Sequence, residues 1–326
     1  MTEFTELIDL ASVRVGGAVV LANDEFFAPK ENLLRESAPV FIEGKYTDRG
    51  KWMDGWETRR RRTPGHDWCM VRLGLPGIVH GVVVDTAHFK GNYPEACSIE
   101  ACTLDGTVTP AQLQNASWRE LLGHSELLGD ARNPFAVAAQ ERVTHVRLNI
   151  YPDGGVARLR VHGQVTPDWA RLHARGGQID LAAVENGGRV LAASDMFFGH
   201  RHNLIMPGRG TSMADGWETK RRRGLGNDWV VIALGLPGEI QRVELDTIHF
   251  KGNAPGTCML ETCTAPDGDV PEAGWQVLLP QTALEPDTLH VFETRLHATG
   301  AATHARLNIY PDGGVSRLRL FGRPSP

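Results

Sequence analysis

The chain has 326 residues, enough for two domains of about 150 residues, each with its own core. Hydrophobic residues make up 41% and charged residues 22%, ordinary values for a soluble globular protein, and the net charge of −5 argues against a general nucleic-acid binder despite two local arginine runs. No apolar run approaches the roughly 18 residues that span a bilayer, so no membrane segment is expected.

The first residues, Met1-Thr-Glu-Phe-Thr-Glu6, lack the basic start and apolar core of a signal peptide, which points to a cytoplasmic protein. Gly16–Ala22 is a short apolar strand signal, followed by Asn23-Asp24-Glu25-Phe26-Phe27. The same pattern returns at 187–198, offset by 171 residues. From Asp54 onward the offset falls to 161: Asp54-Gly-Trp-Glu57-Thr-Arg59-Arg-Arg61-Arg answers Asp215-Gly-Trp-Glu218-Thr-Lys-Arg221-Arg-Arg. The first copy therefore holds ten extra residues, in the polar, aromatic loop Val40–Trp52 that contains Lys45, Arg49 and Lys51. A repeat this long is a duplicated domain and not a solenoid period.

Beyond the shared motif, Cys69–Leu73 and Val230–Leu234 read as buried strands stopped by Gly-Leu-Pro-Gly turns. Val82–Asp85 and Val243–Asp246 are the next strands, followed by Asp85-x-x-His88-x-Lys90 and Asp246-x-x-His249-x-Lys251. Each copy then carries a variable segment with one tryptophan, Trp118 or Trp275. Each closes with two alternating strands around Tyr-Pro-Asp-Gly-Gly, read as a hairpin. Frequent turns, 36 glycines, 19 prolines and little helical periodicity predict an all-β chain of two tandem jelly-roll sandwiches. The expected division is a first repeat over 1–165, a linker over 166–180 and a second repeat over 181–326. Four of the five cysteines form a repeated C-x4-C, and no further ligand completes a zinc set, so buried reduced thiols are expected.

Asp54-Gly55, Trp68, Leu73-Gly74, Arg147-Leu148 and Leu159-Arg160-x-x-Gly163 occur in an order that resembles the galactose-binding, discoidin-like jelly roll. Longer strings match more specifically. Asp24–Pro29, Lys45–Glu57, Thr63–Trp68, Phe89–Pro94 and Asn149–Gly155, together with the duplication, resemble the allantoicase family over nearly the whole chain. The resemblance implies an enzyme of ureide metabolism that converts allantoate to ureidoglycolate and urea. The rival reading is a non-catalytic tandem module that binds a sugar or another small molecule.

Hydrolysis of allantoate needs a cationic clamp for the carboxylate, an acid and a base flanking the reacting carbon, and fixed partners for the ureido groups. Arg59, Arg61 and Arg221 are candidate clamp residues, with a solvated basic face as the alternative. Glu57 and Glu218, just before the arginine runs, are expected to be ionised and catalytic. His88 and His249 are the acid/base candidates, oriented by Asp85 and Asp246 with Lys90 and Lys251 pointing the same way; the alternative is a histidine packed beside Phe89 or Phe250. Lys45, Arg49 and His66 exist only in the first copy and are candidate substrate contacts. His200-x-His202 lacks an evident third ligand, so no metal and no cofactor is expected. A homo-oligomer acting on a small molecule is the expected form.

Overall fold

The structure is a computed structural model that describes residues 4–266 and 270–325. It divides into two compact units, Met1–Thr166 and Pro167–Pro326. Each contains one sheet of eight strands wrapped into a jelly roll.

In the first unit the organising element is the 19-residue strand Asp67–Asp85. Its leading half pairs with Ala18–Ala22 on one side and Val143–Tyr151 on the other, and Val143–Tyr151 continues to Ala96–Cys102 and Arg119–Glu126. Its trailing half pairs with Arg158–Val165, which continues to Ile8–Asp9, and with Arg132–Ala136. The second unit repeats this around Asp228–Asp246. Alternation supplies the core: Cys69, Val71, Ile99, Leu148, Ile150, Leu159 and Val161 are all essentially inaccessible. Each such side chain contributes about 1.5–3 kcal/mol by burial.

Two expectations about connections are corrected. Gly-Leu-Pro-Gly does not stop the strand; it bends one continuous strand from one layer into the other. Gly74 sits where the chain crosses the Val15–Gly17 segment, and an added Cβ would lie 2.5 Å from the Val15 carbonyl oxygen. The strands flanking Tyr-Pro-Asp-Gly-Gly are not a hairpin, because they pair with opposite halves of Asp67–Asp85 rather than with each other. Between them, Gly155–Val156 pairs with Trp56–Glu57 and carries the chain across. The stretch 166–180, read as linker, includes the short helix Trp169–Arg175 and the strand Ile179–Asp180, which pairs within the second sheet.

Candidate active site

Trp56–Glu57 is where the duplicated motif meets the end of each sandwich. Trp56 is fully buried and its indole nitrogen donates to the Asp24 carbonyl, 2.8 Å. Glu57, the next residue, points the other way and is bracketed by Ala28 and Gly155. The Asn92 amide donates to Glu57 Oε1 at 2.7 Å, while the Asn92 carbonyl accepts from the Gly155 amide, also 2.7 Å. Burial pushes the Glu57 carboxyl above its ordinary value, and the hydrogen bond from Asn92 offsets only part of that. A buried carboxyl whose proton is held more tightly than that of an exposed one is a candidate for proton transfer. The second unit repeats the pair, with Asn253 donating to Glu218.

The arginine run is not one basic face. The strand ends after Glu57, because Thr58 exchanges hydrogen bonds with Gly154 and separate carboxylates draw off the following residues. Asp24 accepts from the Arg59 amide and guanidinium, at 3.0 and 2.8 Å. Asp153 accepts from the Arg61 amide at 2.8 Å, and Asp67 accepts from the Arg61 guanidinium at 2.7 Å. Arg59 and Arg61 therefore shape the loop, and the expectation that the arginines keep Glu57 ionised is corrected: its oxygen meets Asn92, not a cation. Arg60 and Arg62 are exposed and make no ion pair among the described residues. Arg221 is the second-copy equivalent of Arg60, and Lys220 and Arg222 pair with Asp195 and Asp228.

The histidines occupy a turn, not the extended segment expected. Phe89 closes onto the Thr86 carbonyl at 2.9 Å, and His88 adopts φ 70° and His249 φ 77°. A left-handed conformation at a residue with a Cβ costs about 1–2 kcal/mol and needs compensation. Asp130 supplies it by accepting from the His88 amide at 2.7 Å, as Asp287 does for His249 at 2.8 Å. The imidazoles lie against main-chain carbonyls: His88 Nε2 is 3.2 Å from the Pro39 oxygen and His249 Nε2 is 2.9 Å from the Gly210 oxygen. Asp85 and Asp246 do not orient these rings; each accepts from the amide two residues on, at Ala87 and Ile248, both at 2.8 Å. Lys90 and Lys251 reach Asp130 and Asp287 at 3.7 and 3.8 Å from exposed positions.

The first-copy insertion packs through cations on rings. Lys45 lies 3.8 Å over Trp52, and Lys51 lies 4.6 Å over Phe41. Arg49 donates to the Phe26 carbonyl at 2.8 Å. His66 sits apart from these, 4.8 Å from the Tyr151 ring on the outer sheet face. Among the described residues, no three or more His, Cys, Asp or Glu side chains converge as a metal shell.

A duplicated jelly roll with a carboxyl–amide pair at the same end of both copies, buried in the first and half-buried in the second, defines the class: a tandem β-sandwich protein with one candidate acid/base group in each repeat. The comparisons are specific. A family model described as Allantoicase repeat matches residues 8–166 and 179–325. The Burkholderia pseudomallei protein named "Probable allantoicase 2" is 52% identical over 97% of this chain and 94% of its own length. A Pseudomonas aeruginosa relative named "Probable allantoicase" is 48% identical over 98% of this chain and 97% of its own length. The crystal structure of allantoicase from Saccharomyces cerevisiae superposes with a TM-score of 0.82 at 37% identity, covering 97% of this chain and 93% of that one. The chain belongs to the allantoicase family. The non-catalytic module is not favoured.

Proposed function

We propose that this chain hydrolyses allantoate to ureidoglycolate and urea. The observation that carries the reading is the match of both repeats, over nearly the full length, to allantoicases. The reaction adds one water, breaks one carbon–nitrogen bond and leaves the carboxylate on the product.

Glu57 is the group we assign to proton transfer. Protonated, it delivers a proton to the departing ureido nitrogen; ionised, it accepts one from the water that adds to the carbon. Glu218 has the same setting in the second repeat, with a more exposed side chain. Arg60 and Arg62, with Arg221 and Arg223 in the second copy, are the cations free to meet a carboxylate, since Arg59 and Arg61 already serve Asp24 and Asp67. His88 is assigned to positioning: its strained turn sets the course of the chain to Asn92, which holds Glu57. Asp85 supports that turn from the preceding strand end.

No helix among the described residues is long and apolar enough to cross a membrane. A cytoplasmic homo-oligomer completes the reading. The buried thiols Cys69, Cys97, Cys102, Cys258 and Cys263, all free, support the reducing compartment in that reading. Incubating the purified chain with allantoate and measuring urea and ureidoglycolate tests the activity.

A further inference from the structure

In each repeat the segment that carries the partner of the candidate acid/base group is clasped by a second loop. In the first repeat residues 127–133 hold residues 86–95. The Leu127 amide donates to the Glu95 carbonyl and the Asp130 amide to the Phe89 carbonyl, both at 3.0 Å, while the Asp130 carboxylate accepts from the His88 amide. Thr86 Oγ1 donates to the Leu128 and Ala131 carbonyls. The second repeat keeps every one of these bonds. Leu284 donates to Gly256 at 3.0 Å and Asp287 to Phe250 at 3.2 Å, Asp287 accepts from His249, and Thr247 donates to Glu285 and Thr288.

What closes the loop differs between the copies. In the first it is Asn133, a side chain 6% exposed. Its oxygen accepts from the Leu128 amide at 2.9 Å, and its nitrogen donates to the Val84 carbonyl at 3.1 Å and to the Leu128 and Ala131 carbonyls at 3.2 Å. In the second copy the same place belongs to His290, which pairs with Leu245 as Asn133 pairs with Val84. His290 Nε2 accepts from the Glu285 amide at 2.8 Å, and Nδ1 lies 3.2 Å from the Leu245 carbonyl. A main-chain N–H only donates and a carbonyl only accepts, so the ring is neutral with its proton on Nδ1.

A side-chain amide and this imidazole tautomer offer the same acceptor and the same donor. Only the imidazole can lose its acceptor: once protonated, Nε2 is a donor facing the Glu285 N–H. His290 is half-buried and lines an open cleft of about 300 Å³ with Thr282, Phe292, Glu293 and Arg295, so water reaches it. The charged groups around the ring are Glu293 and Arg295 in that cleft and Glu285 and Asp287 on its own loop, with Lys251 3.8 Å from Asp287. Glu244 and Asp246 flank Leu245 on the paired strand but alternate to its opposite face. The strand Gln276–Ala283 brings only the uncharged Thr282 and Ala283 to the cleft.

We propose that His290 is a positioning residue through which the clasp of the second repeat opens in acid, while the clasp of the first, closed by Asn133, does not. Losing the Glu285 bond releases the loop that holds Asp287 against the His249 turn. That turn sets the course of the chain to Asn253, which donates to Glu218. The consequence for catalysis rests on the role assigned above to Glu218; the clasp itself does not. Each chain keeps both sites, and one of them responds to acid.

The test is amide hydrogen exchange of the full chain, read by mass spectrometry for wild type, His290→Asn and His290→Ala. It is run at about pH 5 and about pH 8, the interval over which imidazoles change charge, with each peptide referred to its intrinsic rate at that pH. Urea release from allantoate is measured at the same two values. His290→Asn copies the closure of the first repeat, so its folding has a precedent in the same molecule. In the wild type, protection of peptides covering 285–289 and 247–253 falls about tenfold in acid, and that of 128–132 and 86–92 does not. His290→Asn keeps the protection at both pH values and His290→Ala lacks it at both. An equal fall in the two repeats, no fall in either, or a fall that persists in His290→Asn overturns the proposal. Given the expected exchange pattern, a higher acid-to-alkaline ratio of urea release in His290→Asn than in wild type ties the clasp to catalysis. An equal ratio keeps the clasp and removes Glu218 from the chemistry, and no urea from the wild type keeps the clasp and removes the activity.

Discussion

Replacing Glu57 by glutamine separates the chemistry from the fold. The side chain makes one hydrogen bond, from Asn92 at 2.7 Å, and an amide oxygen in the same place accepts it equally well. Burial raises the carboxyl above its ordinary value, so ionised Glu57 opposes folding at neutral pH. The sign follows from linkage. A carboxyl whose pKa is raised in the folded state contributes stability below its unfolded pKa, and loses it as pH rises through the folded value. A neutral glutamine removes that loss, so Glu57→Gln has a melting temperature at neutral pH equal to or above the wild type. Loss of an acid/base group lowers kcat about 10²–10⁴-fold, or about 2.7–5.4 kcal/mol of barrier. Urea release under saturating allantoate and a thermal melt of the same preparation measure both. A variant with near-normal kcat, or a fall in activity that merely follows a fall in melting temperature, refutes the assignment.

His88→Ala loses the contact with Pro39 but no proton-transfer group, so kcat falls less than about tenfold and the shape of the pH–rate profile is unchanged; a loss as large as that of Glu57→Gln returns His88 to the chemistry. Asp54→Ala leaves Arg158 buried without its carboxylate (the pair is 2.8 Å apart, with side chains 2% and 4% exposed), which costs about 3–5 kcal/mol in denaturant unfolding. Burial pushes the Asp54 carboxyl up, but hydrogen bonds from Arg158 and the Val40 amide and the charges of Arg158 and Arg35 more than reverse it. The stability Asp54 supplies is therefore present above its unfolded pKa and lost as pH falls through the lower folded value, and Asp54→Ala flattens that acid limb. Burial pushes Cys97 and Cys258 up to about 12 and Cys102 up to about 11, so native protein reacts slowly with a thiol reagent and reacts fully only when unfolded; rapid labelling of the native chain contradicts this.

The architecture was legible because duplication is a long-range signal written locally. The 161-residue offset, its change to 171 before the insertion and the Trp-Glu-Thr motif mark equivalent positions without any coordinates. Strand alternation and turn residues carried the all-β class. What was not legible depends on partners distant in sequence. Asp24 lies 35 residues before Arg59, and Asp153 lies 92 beyond Arg61; together with Asp67 they break a continuous arginine run into separate tethers. A local reading of Gly-Leu-Pro-Gly found a stop, whereas the pairing of both strand halves makes it a bend. The His88 turn was read as extended because its positive φ is imposed by Asp130, 42 residues away. The ring cluster around Tyr151 draws on distant segments, and of its two histidines, His66 and His124, only His66 was legible as a candidate. Aligning the copies would have added His124 against Gln281 and Ser98 against Met259.

The measurement that bears most directly on the central claim is the product analysis of allantoate incubated with the purified wild-type chain, followed by carbon NMR. The account predicts that urea and ureidoglycolate appear in equal amounts as allantoate disappears. Allantoate that persists unchanged in the presence of a folded chain contradicts it.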